Sequence, residues 1–403
     1  MSLKYGARNL GLKAAAAASF PRFSAALLRI RWAELQAAAA DIRPSGRAVR
    51  LPRSVVLRIT ERCFLRCRMC GQNGPRGRLR HIPPSGRDVF DPAALARVME
   101  ELGRWPVKPF LKITGGEPLV ETDLTLRTLE RASRQGLATK LSTNGVLLSD
   151  AAVARRVVRS GLDFLSVSVD GPADVHDRIR GRAGVYEAAL RGIRNVRRFR
   201  GAEARRPLMI LVSVVVSALN QDRLFETARL MEEAGVDWLN FQFINFTTPA
   251  LAEASRRIVR NAFGIDEAPW AAFEAPDLAE VDAERLAVEI RAIRRRRFAI
   301  PVSFLGIGRL TAGTIADYFH HVEVPLKKRL CPMPRTAAFL VPPRHAAFCI
   351  DYPFYRYADL ADGPLASAWF GERAEAFRRT LAGYYRNVRA NFPHCRRCNW
   401  RFN

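Results

Sequence analysis

Glu61-Arg62-Cys63-Phe64-Leu65-Arg66-Cys67-Arg68-Met69-Cys70 spaces three cysteines as C-x3-C-x2-C, directly after the apolar run Val55–Ile59. Three thiolates in so short a stretch wrap one corner of an iron–sulfur cube and leave one of its four irons open to another ligand. A structural zinc site wants a fourth protein ligand. None is obvious nearby, although His81 lies eleven residues beyond Cys70, so a zinc knuckle is the alternative reading. Arg62, Arg66 and Arg68 are expected to lower the thiol pKa values and favour thiolate.

The remaining cysteines are Cys331, Cys349, Cys395 and Cys398, with none between residues 71 and 330. An odd total of seven, in a chain without an export signal, argues against a disulfide framework. Four distal thiolates satisfy either a second cube or one tetrahedral zinc, and spacing alone does not separate the two.

Outward from the first triplet the chain settles into a rhythm. Apolar runs of strand length recur at Phe110–Ile113, Ala138–Ser142, Phe164–Val169, Met209–Val216 and Trp238–Ile244. Segments of helical period separate them near 91–103, 121–134, 150–159, 186–199 and 221–234. Asp91 before Pro92, the pair Ser149 and Asp150, and Asn220 offer helix starts. Alternation of β and α predicts right-handed crossovers and a parallel sheet. The expected class is α/β, a partial (β/α)6 TIM-like barrel with its chemistry at the C-terminal strand ends. Residues 246–280, with Pro249, Pro269 and Pro276, read as an irregular insertion, and a helix follows near 281–297. After Pro301 the rhythm is lost. The expected organisation is a basic helical N-terminal segment over 1–53, the barrel over 54–300 and a small Cys-rich α+β extension over 301–403.

Polar or glycine-rich motifs punctuate the strand ends. The second strand ends in Thr114-Gly115-Gly116-Glu117-Pro118. Its glycines admit a close ligand, and free N–H groups with Glu117 can grip a charged amine. The third ends in Ser142-Thr143-Asn144-Gly145. The fourth runs into Asp170-Gly171, and alternation puts Ser166, Ser168 and Asp170 on one face. His176-Asp177-Arg178-Ile179-Arg180-Gly181 follows, and Ser213, Gln242 and Asn245 are further candidates for lining a site.

Taken together, these motifs resemble the radical S-adenosylmethionine (radical SAM) superfamily over about residues 54–403. The resemblance implies a [4Fe–4S] cluster on Cys63, Cys67 and Cys70 whose open iron takes the amine and carboxylate of SAM. One electron then cleaves the sulfonium, and a 5′-deoxyadenosyl radical removes hydrogen from a substrate. It implies that Met69, where the family usually has an aromatic residue, helps hold the adenine. Gly115, Gly116 and Glu117 would take the methionine amine. Ser168 and Asp170 would approach the ribose or carboxylate, Arg180 would meet the carboxylate, and Ser142, Asn144 and Ser213 would complete the cofactor contacts.

Residues 301–403 resemble the Twitch extension, the shortened relative of the SPASM domain. This implies an auxiliary [4Fe–4S] cluster on Cys331, Cys349, Cys395 and Cys398 that relays electrons or braces the fold. Such extensions have a glycine five residues before the second cysteine; here Arg344 stands there, so the turn must differ. Ala337–Val341 and Ala346–Ile350 read as strands flanking that turn. Leu365-Ala366-Ser367-Ala368-Trp369-Phe370 resembles the helix start before the final cysteines. Asp351, Tyr352 and Tyr355, near Cys349, are candidate proton donors that read better as structural.

Composition bounds the partners. At 403 residues, with 48% hydrophobic and 26% charged residues, wholesale disorder is excluded. No apolar run reaches the ~18 residues of a membrane-spanning helix. The block Ala14 to Ala18, followed by Phe20 and Pro21, is a poor signal-peptide core. A cytoplasmic location is expected. Lys+Arg 65 against Asp+Glu 39 gives +26, and only seven of the cations are Lys. That excess would suit nucleic acid, an anionic membrane or an acidic substrate, but Arg is scattered along the whole chain, as compositional bias scatters it.

Phe23, Leu27 and Ile30, with Leu28, Trp32 and Leu35, predict an N-terminal helix. It packs on the barrel or lies at the inner face of the membrane, with Arg22, Arg29 and Arg31 at headgroup level. The expected partners are a small-molecule, phosphorylated or lipid-linked substrate, a sugar among them, and an electron donor such as flavodoxin or ferredoxin. Modification of a peptide or RNA is the alternative, and a zinc-binding nucleic-acid protein is the non-enzymatic one. No row of exposed aromatics stands ready to stack bases, which disfavours nucleic acid.

Overall fold

The computed structural model describes residues 2–40, 50–267, 270–306, 309–322, 331–349, 353, 355–386 and 398. Cys395, Asp351 and Tyr352 lie outside the described residues. Six strands follow the expected rhythm: β1 (Ser54–Arg58), β2 (Phe110–Thr114), β3 (Thr139–Thr143), β4 (Phe164–Ser168), β5 (Met209–Val216) and β6 (Trp238–Phe243). Each pairs in parallel with its successor. An N-terminal hairpin, α1 (Ser2–Ser19) and α2 (Pro21–Ala40), precedes them. The crossovers carry α3 (Pro92–Arg104), α4 (Thr122–Arg134), α5 (Ala151–Arg159), α6 (Ala173–Arg180), α7 (Val185–Glu203) and α8 (Leu224–Glu233).

Caps set the helix starts. Asp91 accepts from the Ala94 N–H with Pro92 in the first turn, and Asp150 accepts from Ala152. Asn220 does not cap. Its amide instead donates to the carbonyls of Asp170 and Val215, tying two strand ends together.

Beyond β6 the structure departs from expectation twice. The stretch read as irregular holds α9 (Pro249–Phe263), capped by Thr248, with Pro249 in the first turn, where no N–H is needed. The rhythm also continues past Pro301. The short α10 (Pro276–Ala279) and α11 (Ala283–Arg295) lead to β7 (Val302–Leu305), which is parallel to β6, and α12 (Ala312–Phe319) follows.

The last part joins the same sheet. After α13 (Met333–Thr336), β8 (Ala337–Val341) pairs in parallel with β1. Next come β9 (His345–Ala347) and β10 (Arg356–Asp359), which extend that edge antiparallel. Two helices, α14 (Leu365–Phe370) and α15 (Glu372–Arg386), complete the described chain. The strand order is β10-β9-β8-β1-β2-β3-β4-β5-β6-β7. The expected turn between β8 and β9 is there, and the Arg344 guanidinium donates to Asp359 of β10 at 2.8 Å.

Period-two alternation sorts the two faces of the sheet. Leu111, Ile113, Leu141, Leu165, Val167, Ile210, Val212 and Val214 pack with the helices in the main core. The alternate positions, among them Lys112, Thr114, Lys140, Ser142, Ser166 and Ser213, therefore face the lumen. Its base is closed by α2, whose Ala26 and Ile30 pack on Phe110, Phe164 and Met209 at the starts of β2, β4 and β5. Arg22 turns inward, donating to Asp163 at 2.8 Å and to the carbonyls of Gly136 and Leu137, so it does not sit at headgroup level. The outer face of α2 presents Leu28, Trp32 and Leu35, 71%, 62% and 62% exposed. Among the described residues no helix is long and apolar enough to cross a membrane.

Candidate active site

The cysteine loop leaves β1 at the C-terminal end of the sheet. Its turns are fixed by backbone bonds from Cys70 N–H to the Cys67 carbonyl (3.0 Å) and from Gly74 to Cys70 (2.8 Å). Arg68 N–H donates to the Ile179 carbonyl at 2.9 Å, docking the loop on α6. Cys63, Cys67 and Cys70 share one apolar patch with Leu65, Met69, Val146 and Val185. Each sulfur receives one donor: Leu65 N–H on Cys63 (3.5 Å), Asn73 N–H on Cys70 (3.4 Å) and the Arg180 guanidinium on Cys67 (3.7 Å). Donors aimed at ligating sulfur are what tunes an iron–sulfur cluster. His81 is solvent-exposed. Among the described residues no group of three or more His, Cys, Asp or Glu side chains is set to hold a single metal ion.

The adjoining arginines do not serve the thiols. Arg62 pairs with Glu121, Arg68 with Asp277, and Arg66 donates to the Arg80 carbonyl. Burial instead pushes the Cys63 thiol up to about 12 and Cys67 to about 11, with Arg180 opposing the rise at Cys67. The cation that favours thiolate comes from α6, far along the sequence from the loop itself.

The glycine motif is a close-packed junction. A Cβ on Gly115 would stand 2.7 Å from the Thr60 carbonyl oxygen, and one on Gly116 would stand 2.3 Å from that of Arg62. The Gly116 N–H is not free, as the sequence suggested, but donates to the Thr60 carbonyl (2.7 Å), and the Glu117 N–H donates to that of Arg62 (2.8 Å). They lock the second strand end onto the cysteine loop. Glu117 is 1% exposed and accepts from Leu119 N–H (3.0 Å), Thr143 hydroxyl (2.7 Å) and Asn144 N–H (2.8 Å). Burial lifts its carboxyl above the ordinary range against these three donors. Glu117 is thus the bracket between β2 and β3.

A second bracket joins β4, β5 and α6. Asp170 is fully buried, accepts from Val215 N–H at 2.9 Å and pairs with Arg180 at 2.6 Å. Its own N–H donates to His176 Nδ1 (3.0 Å), which fixes a neutral ring; burial drives that imidazole down to about 2. Burial alone would lower the Arg180 guanidinium, but Asp170 and Cys67 hold it above its usual value.

The expected site residues therefore gather in two groups. Met69, Gly115, Gly116, Glu117, Asn144, Asp170 and Arg180 converge around the cysteine loop, whereas Ser142, Ser168 and Ser213 sit on lumen-facing positions of β3, β4 and β5, with Ser168 and Ser213 in register. The sequence reading quoted Thr143 and His176 within motifs without giving them a role and took Asn220 for a helix start, and it missed the lumen residues Lys112 and Lys140. A cofactor fits this arrangement. Asn144 Nδ2, just past β3, and Arg180 Nε, at the end of α6, are buried without a hydrogen-bond partner among the described residues.

Cys331 and Cys349 are partly buried and Cys398 is buried. Cys331 lies just before α13, and Cys349 two residues after β9. Trp369 on α14 is fully buried, and its indole donates to the Arg50 carbonyl at 2.9 Å, pinning the extension to the start of the barrel.

The radical SAM superfamily model matches residues 57–231, from β1 through α8. The pre-heme d1 synthase of Dinoroseobacter shibae is 34% identical over 193 residues, 46% of this chain and 42% of that protein. The AdoMet-dependent heme synthase of Methanosarcina barkeri is 32% identical, covering 46% of this chain and 48% of that protein. The chain thus spans about half the length of these relatives. Among solved structures, Streptococcus suis SuiB bound to S-adenosylmethionine superposes with a TM-score of 0.58 at 13% identity, covering 82% of this chain and 68% of that one, which speaks to the fold. With a cysteine triplet on the loop after β1 and the glycine and acidic strand-end motifs in order behind it, residues 57–231 form a radical SAM domain.

Proposed function

We propose that this protein is a radical SAM enzyme acting on a polar small molecule held in the barrel lumen. It would bind a [4Fe–4S] cluster through Cys63, Cys67 and Cys70, and SAM across the ends of β2, β3 and β4. The observation that carries this reading is the convergence of three thiols, each with one hydrogen-bond donor, on two buried brackets from the following strand ends. When bound, the cluster and SAM supply an electron and a carbon radical that abstracts hydrogen from the substrate. The chain's own residues position and exclude. Arg180, held by Asp170, sets a fixed positive charge beside Cys67, and Asn144 Nδ2 is a donor awaiting an acceptor.

Cys331, Cys349, Cys395 and Cys398 are proposed to hold an auxiliary [4Fe–4S] cluster, supported by Cys331 and Cys349 flanking β8 and β9 in the chain and by the C-x2-C spacing of the last two in the sequence. A flavodoxin- or ferredoxin-type donor in the cytoplasm would reduce the enzyme. The outward row Leu28, Trp32 and Leu35, beside exposed Arg29 and Arg31, is the surface that supports peripheral membrane contact and a lipid-linked substrate. The heme-precursor enzymes among the relatives favour a small-molecule substrate over a peptide.

Anaerobic reconstitution tests the assignment. About 8 Fe per chain is expected, falling to about 4 in the Cys63/Cys67/Cys70→Ala variant together with loss of reductive SAM cleavage. Cys331/Cys398→Ala should also fall to about 4 Fe. Zinc alone at the triplet, with no iron, would overturn the reading.

A further inference from the structure

Only seven of the chain's 65 basic residues are lysines, and two of them stand side by side inside the barrel. Lys112 on β2 and Lys140 on β3 are Cα partners in the parallel ladder. Their neighbours Leu111, Ile113 and Leu141 point to the helix layer, so both lysines point to the lumen. Each ammonium lies near an aromatic floor: Lys112 is 5.5 Å from the Phe110 ring, and Lys140 is 5.1 Å from that of Phe164. Neither has an ion pair among the described residues. The carboxylate whose charge Lys112 feels is Glu34 of α2, which itself pairs with Arg31 at 3.0 Å.

Two adjacent ammonium groups in a low-dielectric lumen repel one another and lose hydration. Burial lowers Lys112 to about 8, and burial with the neighbouring Lys112 charge lowers Lys140 to about 7. A bound dianion would cancel the repulsion and replace the lost water. Resting on the radical SAM reading, we propose that Lys112 and Lys140 form an anion subsite at the floor of the lumen that takes a phosphate or carboxylate group of the substrate. Gly115 lies three residues above Lys112 and Asn144 four above Lys140, so the subsite sits about 10 Å below the strand-end brackets, at ~3.3 Å per residue. Thr114, Ser142 and Ser166 line the way. The target carbon would therefore lie roughly that distance from the anionic group, with polar atoms between.

Pyridoxal 5′-phosphate, an aldehyde with a phosphate handle, tests this on the full chain. After borohydride reduction and peptide mapping, Lys140 should be labelled about tenfold faster than by phosphate-free pyridoxal, from local anion attraction. Half-buried Lys108 outside the lumen, whose ammonium donates to the Gly103 and Trp105 carbonyls, should show no such preference. Inorganic phosphate or succinate should suppress the labelling, while chloride at matched ionic strength should not. Protection by phosphate alone assigns a phosphorylated substrate, and protection by succinate alone assigns a carboxylate. The preference should disappear in Lys112→Gln. Equal labelling by both aldehydes, or no protection by either anion, overturns the proposal. Because labelling requires neither cluster nor SAM, it is scored separately from SAM cleavage, and failure of one reading is distinguishable from failure of the other.

Discussion

Asp170 and Arg180 are the pair on which the site's electrostatics turn. Asp170 has no exposure and Arg180 touches both it and Cys67, so neither charge survives well without the other. Arg180→Met should cost about 3–5 kcal/mol, because among the described residues a buried carboxylate is left with the Val215 N–H alone. Urea unfolding of the metal-free protein reads this directly, and an unchanged midpoint would show that the pair is not a structural bracket. His176 gives a pH test of the same junction. Its ring is neutral in the fold and free to protonate once unfolded, so the folded pKa lies below the unfolded one. The unfolded chain therefore takes up a proton first as pH falls through about 6.5, and stability is lost from there downward. Between pH 7 and 5 the loss from this residue should be about 2 kcal/mol, at ~1.4 kcal/mol per pH unit. His176→Gln keeps an acceptor for Asp170 N–H and should flatten that slope; an identical slope in the variant would remove His176 from the account.

At the scale of elements, α2 has two faces with different jobs. Ile30 is buried against the strand starts, so Ile30→Ala should cost about 2–4 kcal/mol. Leu28 and Trp32 are exposed, so Leu28→Glu with Trp32→Glu should shift stability by about 0.5 kcal/mol or less each. If the outer row docks on lipid, the double variant should no longer float with anionic vesicles that capture the parent protein. Flotation of both alike, or of neither, would leave α2 as a barrel plug alone. The inward role of α2 was one of the two readings its sequence left open, because an amphipathic stripe does not say what covers it, and Ala26 and Ile30 packing on the strand starts bears it out. The six strands and the cysteine loop were legible, since period two, capping residues such as Asp91 and a C-x3-C-x2-C spacing are all local signals. Prolines misled where they served as helix starts, as Pro249 does for α9. The arginine neighbours of the cysteines misled for a related reason: adjacency in sequence does not fix where a long side chain reaches, and Arg62 and Arg68 reach carboxylates on other elements.

For the whole molecule, the decisive non-local fact is that β1 lies between β2 and β8, strands separated from each other by more than half the chain. No periodicity announces such a pairing. It means that the strand feeding the cysteine loop is held on one side by the barrel and on the other by the extension bearing Cys331 and Cys349. All five residues of β1 are buried, and without β8 they would become an unpaired apolar edge, the arrangement that templates aggregation. Trp369 bonding to Arg50 and Glu101 of α3 accepting from Leu365 and Ala366 N–H groups add further ties across the same seam. Barrel and extension should therefore unfold as one cooperative unit, even though the length would allow two. A single calorimetric transition whose calorimetric and van't Hoff enthalpies agree is the expected result. Ending the chain after Val322 should give a species that associates through β1 and incorporates iron poorly at Cys63, Cys67 and Cys70. Two resolved transitions, or a monodisperse truncated barrel that loads its cluster normally, would show instead that β8 is an accessory to a self-sufficient barrel.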